Sequence, residues 1–254
     1  MSKPGKLVFV FALTLGIVLF GGGVTSKWRS NAPMTPIVVW AWERPEDLRF
    51  LASQPVAVAY LAGSVFLDAQ PVVRLRVQPL KVVPGTPVIA VVRLELTPTT
   101  PPALDDQYRG QVVHEILQLA KGAPAAALQI DFDALTSQRQ FYRGLLIDVR
   151  RQLPASMPLS ITALGSWCVG DDWLRGLPIN EAVPMMFRMG HDRAALEESL
   201  SAGNDFREPL CRTSVGVSTD EPWPTTLRGR RVYVFTPTPW NERSFSAVKV
   251  RLQP

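Results

Sequence analysis

From Pro36 to the C-terminus, short apolar runs alternate with segments of helical period, and this rhythm constrains the fold more than any other feature. The β-like runs are residues 37–42, 56–60, 88–96, 127–133, 159–163, 182–189, 214–218 and 231–236. Helix-like stretches at 45–52, 105–121, 137–152 and 191–201 separate several of them. Strands that alternate with helices argue for a parallel sheet. Eight such units predict a trimmed (β/α)8 barrel of the TIM type, with the second, fifth and seventh helices lost or shortened. Residues 64–67, 72–77 and 80–83 are β-like, broken by Pro and Gly, and have no helical period, so a β-hairpin insertion is expected after strand 2. A doubly wound open sheet is the alternative, but no G-x-G-x-x-G or Walker loop accompanies it. Strand parity separates the two folds. In 128–133 the apolar residues point one way and Gln129, Asp131 and Asp133 the other. A doubly wound strand buries both faces in apolar contacts.

Ahead of the barrel, residues 7–24 contain no charge, and Lys3 and Lys6 precede them. That pattern fits a signal peptide or a membrane anchor. The chain therefore divides into residues 1–27, a signal or anchor, and 28–254, one barrel-like domain, with the membrane as a partner through the N-terminal hydrophobic helix. Either alternative places the barrel outside the cytoplasm, in a periplasm. The net charge of +5 comes without a nucleic-acid motif or interleaved aromatics, so no nucleic-acid partner is expected. His114 and His191 are the only histidines and do not cluster, so neither a metal nor another cofactor is expected. Nothing in the sequence fixes an oligomeric state. An exported location permits a Cys168–Cys211 disulfide. The strand map puts these residues on opposite rims, beyond the ~7 Å that a disulfide spans, so they are expected to remain unpaired.

Barrel active sites gather at the C-terminal ends of the strands. Those ends offer Trp42, Arg93 with Glu95, Asp131 with Asp133, Trp167, Arg188, Asp220 with Glu221, and Trp240. Carboxylates serve glycoside hydrolysis as acid, base or nucleophile, and indole faces stack on sugar rings. Asp131 and Asp133 project from one face of one strand, and charges that close favour retention of a proton by one of them. Asp133 is the expected general acid, Asp131 its electrostatic partner and Glu95 a second carboxylate. Arg188 lies in an apolar run and is the expected positioning group; if buried, it requires an anionic partner, with Asp133 or Glu95 the natural candidate. Trp42, Trp167 and Trp240 form the expected sugar platform, with Asp220 and Glu221 as further binding residues. The expected partner is a bacterial glycan. The rival is a non-catalytic periplasmic binding or scaffold protein on a degenerate barrel.

Four stretches, LQIDFDALTSQRQFYRGLLIDVRRQLP (128–154), PLSITALGSWC (158–168), DDWLRGLPINEAVPMMFRMG (171–190) and SVGVSTDEPWP (214–224), resemble the bacterial DUF3142 family over roughly 37–239. The resemblance implies a glycosidase-like barrel and no established activity. Asp131-Phe132-Asp133-Ala134-Leu135 is also similar to the D-x-D-x-E of chitinase-like barrels, with leucine in place of the final acid. Shifted by two residues, Gln129 to Asp133 puts Asp133 at that acid's place.

Overall fold

The computed structural model describes residues 35–97, 102–122, 125–190, 193–224, 227 and 229–253. Eight strands form the barrel: β1 (Ile37–Ala41), β2 (Val56–Leu67), β3 (Val88–Leu96), β4 (Ala127–Asp131), β5 (Leu159–Leu164), β6 (Glu181–Met185), β7 (Ser214–Ser218) and β8 (Arg231–Phe235). Each pairs in parallel with the next. The ring closes where β8 pairs with β1, Ile37 opposite Val232 and Val39 opposite Val234. The predicted closed parallel barrel is thus the observed one. The apolar run at 7–24 and the helix expected there lie outside the described residues. Among the described residues no helix is long and apolar enough to cross a membrane.

Alternation along each strand divides the core in two. Outward residues such as Val39, Val58, Val92, Ile130 and Ile161 pack beneath the helices. Inward residues such as Val38, Trp40, Ala59, Val91, Val183 and Tyr233 fill the lumen. The outer layer contains α1 (Asp106–Lys121), α2 (Arg139–Gln152), α3 (Gly165–Val169), α4 (Arg193–Ser201) and α5 (Glu242–Leu252). Asp105 caps α1 by accepting the Tyr108 N–H at 2.8 Å. Ahead of α2 lies a 3-10 turn at Thr136–Gln138. There the Gln138 side-chain oxygen accepts the Leu135 N–H at 2.8 Å.

The segment 45–52 does not form the expected helix. The Glu46 N–H donates to the Pro79 carbonyl at 2.9 Å and the Leu48 N–H to that of Lys81 at 2.8 Å. These backbone groups are thereby committed to a short parallel pairing of Glu46–Asp47 with Leu80–Lys81, and only a 3-10 turn remains at Arg49–Leu51. The hairpin after strand 2 is present but grows out of β2 itself. β2 runs unbroken to Leu67, shifts register between Leu61 and Gly63, and pairs antiparallel with Pro71–Leu75. Gly63 is required there, since a Cβ would lie 2.8 Å from the Arg74 carbonyl oxygen.

Cys168 and Cys211 form a disulfide with Cα atoms 5.9 Å apart, contrary to the expectation from opposite rims. After β5 the chain turns into α3 and packs against the outer wall. The segment before β7 returns along the same wall, and the Glu208 N–H donates to the Cys168 carbonyl at 3.1 Å. The two cysteines therefore meet in the outer layer, within the span a disulfide allows.

Candidate active site

A cleft of about 610 Å³ opens at the C-terminal ends of the strands. Its floor is aromatic. Phe187 packs on Phe235 with centroids 4.6 Å apart, Phe235 on Trp40 at 4.3 Å, and Trp40 on Trp42 at 6.2 Å. The Arg93 guanidinium lies 5.2 Å from the Trp42 ring centre and ends the row. Trp40 and Phe235 reach the floor because they share inward parity with Val38 and Tyr233, although Trp40 is almost fully buried.

Asp131 and Asp133 both line the cleft, and Asp133 is exposed. Asp131 sits one layer deeper. Arg93 and Asp131 are direct neighbours across β3 and β4, and Arg93 Nη1 lies 3.4 Å from Asp131 Oδ2. Ile130 pairs with Ile161, so Thr162 follows beside Asp131 and its hydroxyl donates to Oδ1 at 2.7 Å. Burial pushes the Asp131 carboxyl up to about 6, against the pull of Arg93 and Thr162, and the charges of Asp133 and Glu95 add to the rise. Among the described residues no hydrogen bond or ion pair ties Asp133.

Below this layer the lumen stays polar. Glu181 Oε1 accepts from the Tyr233 hydroxyl at 2.6 Å and from Arg231 at 3.0 Å. The Gln129 amide is fully buried. The polar face read from Gln129, Asp131 and Asp133 thus runs from the lumen into the cleft.

The remaining expected site residues divide. Trp42 lines the cleft. Trp167 does not: it lies in α3, buried, and meets Trp173 edge-on at 4.7 Å in the outer layer. Trp240 is also buried. Its indole N–H donates to the Trp40 carbonyl at 3.0 Å and its backbone N–H to Glu46 at 2.9 Å, so it braces the floor from behind. Neither can offer a face to a sugar. Glu95 pairs with Arg93 at 3.0 Å and is not part of the lining. Arg188 lines the cleft but is exposed, not buried against Asp133 or Glu95. Its backbone N–H is held by both Glu221 oxygens, at 3.0 and 3.2 Å. Glu221 also pairs with Arg193 at 2.7 Å and acts as a loop tie. Asp220 is exposed beside the cleft, and a hydrogen bond from the Ser218 hydroxyl holds its carboxyl below the usual range.

Several residues of the site were missed in the sequence. Phe187, Phe235 and Thr162 carried only a parity or strand-end signal. Arg44, in a loop, gave none, yet it lines the cleft and donates to Glu46 at 2.6 Å and to the Thr236 carbonyl at 2.9 Å. Among the described residues no cluster of His, Cys, Asp and Glu could hold a metal.

Residues 84–177 match the family described as "Domain of unknown function (DUF3142)", as the resemblance predicted, over a narrower span than 37–239. No curated protein sequence matches the chain. Several solved structures are similar to it. The spore cortex-lytic enzyme SleL of Bacillus cereus is 16% identical over 71% of this chain and 50% of that one, with a TM-score of 0.48. A fungal endo-beta-N-acetylglucosaminidase from glycosyl hydrolase family 18 is 14% identical over 79% and 89%, with a TM-score of 0.49. A chitinase of Rhizomucor miehei is 10% identical over 72% and 69%, with a TM-score of 0.47. The chain spans half the length of the first of these.

Proposed function

We propose that this barrel binds a bacterial glycan in its cleft and cleaves it by acid catalysis from β4. The observation that carries the reading is the Asp131–Asp133 pair at the C-terminal end of a barrel strand, beside an aromatic floor. Asp133, open to the cleft, donates a proton to the glycosidic oxygen as the C–O bond breaks, and a water molecule then adds to the anomeric carbon and returns its proton to the acid. Asp131, whose carboxyl burial raises to about 6, lies behind Asp133 and holds a proton as pH falls toward that value. Trp42 and its aromatic neighbours hold the sugar ring. The Cys168–Cys211 disulfide supports export, since such links persist in oxidising compartments. We place the barrel in the periplasm, tethered by residues 7–24 or released by cleavage behind them.

A second reading, a binding protein that does not cleave, is favoured by one observation. Glu95 is spent on Arg93, so it is not free to act as base or nucleophile opposite Asp133. Incubation of the chain and an Asp133→Asn variant with peptidoglycan, chitin oligomers and envelope polysaccharides separates the two. Reducing ends released by the parent and not by the variant establish cleavage. Binding without release establishes the second reading, and neither from a folded protein removes both for those polymers.

A further inference from the structure

Three guanidiniums line the cleft, and two are occupied. Arg44 is closed by Glu46 and the Thr236 carbonyl. Arg93 is closed by Glu95, Asp131 and the face of Trp42. Arg188 differs. It is exposed at the β6 end of the aromatic floor, and among the described residues its guanidinium makes no hydrogen bond or ion pair. The carboxylate that feels its charge is Asp220, which is engaged by the Ser218 hydroxyl and forms no ion pair with it.

The backbone around Arg188 is built to present it. Its φ is 50°, in the left-handed region that a long side chain seldom occupies. Both Glu221 oxygens clamp its N–H, and Arg193 of α4 braces Glu221 at 2.7 Å. Two loops and a helix thus fix one backbone amide, while the preceding Phe187 is anchored on Phe235. Backbone strain of this kind persists only where the surroundings over-determine it, and it concentrates at ligand clamps.

A guanidinium fork beside a sugar-sized aromatic floor matches an oxyanion carried on a sugar. We propose that the glycan taken by this cleft is anionic, bearing a carboxylate or phosphate group, and that Arg188 binds that group while the β4 acid pair meets the glycosidic oxygen. The inference rests on the glycan reading above and names its substrate class.

The test uses the full chain in detergent. Its dissociation constants are measured for chitin oligomers, for galacturonic acid oligomers of equal length and for a glycerol-phosphate polymer. At least one anionic probe is expected to bind about tenfold or more tightly than chitin oligomers, as one charge-assisted fork warrants. Which of the two does so distinguishes carboxylate from phosphate. Arg188→Gln is expected to bring the ratio of anionic to neutral affinity to about one, with an unchanged melting temperature as the check on folding. In the parent, added salt erodes the same ratio, a readout that needs no variant. Equal affinity for charged and neutral oligomers overturns the inference and leaves the glycan reading intact. An anionic preference that survives Arg188→Gln overturns the role of Arg188. If no probe of either charge binds, the glycan reading itself fails and this inference with it.

Discussion

The Thr162 hydroxyl of β5 donates a 2.7 Å hydrogen bond to Asp131 Oδ1 of β4. The bond favours the ionised carboxylate and so opposes the burial that raises Asp131 to about 6. Thr162→Val removes the donor at nearly constant shape. The titration midpoint of Asp131, followed by carbon NMR of the carboxyl, should rise by about one unit or more. A midpoint that stays in place means the bond does not hold Asp131 in solution.

Asp131 also couples stability to pH. Its carboxyl titrates at 3.8 when unperturbed and at about 6 in the fold. Below 3.8 both states carry the proton and the group contributes no difference. As pH rises from 3.8 to about 6, the unfolded chain releases its proton first, so stability falls with pH. Asp131→Asn removes this loss. The stability of the variant relative to the parent should increase by roughly 3 kcal/mol across that window, measured by urea unfolding at a series of pH values. A difference independent of pH contradicts the raised value.

The tryptophans should separate by role. Trp167 is buried in the outer layer, and Trp167→Ala is expected to cost about 3–5 kcal/mol of stability. Trp42 is half-buried at the cleft, so Trp42→Ala should cost much less stability and weaken glycan binding instead. Parallel unfolding and binding measurements on both variants check the division.

The Cys168–Cys211 link joins positions 43 residues apart. On a chain-entropy basis, its removal should cost about 4 kcal/mol. Urea unfolding of the parent with and without reductant, compared with Cys168→Ala/Cys211→Ala, measures it. Indifference to reductant would mean that the cysteines are not joined in solution.

What the sequence made legible was periodicity and parity. Apolar runs of strand length gave the eight strands, and the alternation in 127–133 placed Gln129, Asp131 and Asp133 on the inward face. What stayed hidden depended on where the chain goes after a strand ends. Trp167 follows β5 closely but enters α3 and turns outward, and Cys168 goes with it to meet Cys211. Arg188 stands in an apolar run, yet a left-handed residue takes it out of the strand pattern. Pro45 to Ala52 carries helix-start chemistry that lost to backbone pairing with residues 79–81. α5 went unread because it buries little besides Phe245 and Val248. Its start is signalled only by Asn241 and Ser244, which exchange side-chain and backbone hydrogen bonds at 2.9 and 3.1 Å.

The most direct test of the central claim is a crystal structure of the Asp133→Asn chain with a bound oligosaccharide. A sugar ring is expected against Trp42 and Phe235 on the cleft floor. Its glycosidic oxygen should lie within hydrogen-bond reach, about 3 Å, of the residue 133 side chain. A saccharide seated elsewhere on the barrel, or an empty cleft at saturating ligand, would contradict that claim.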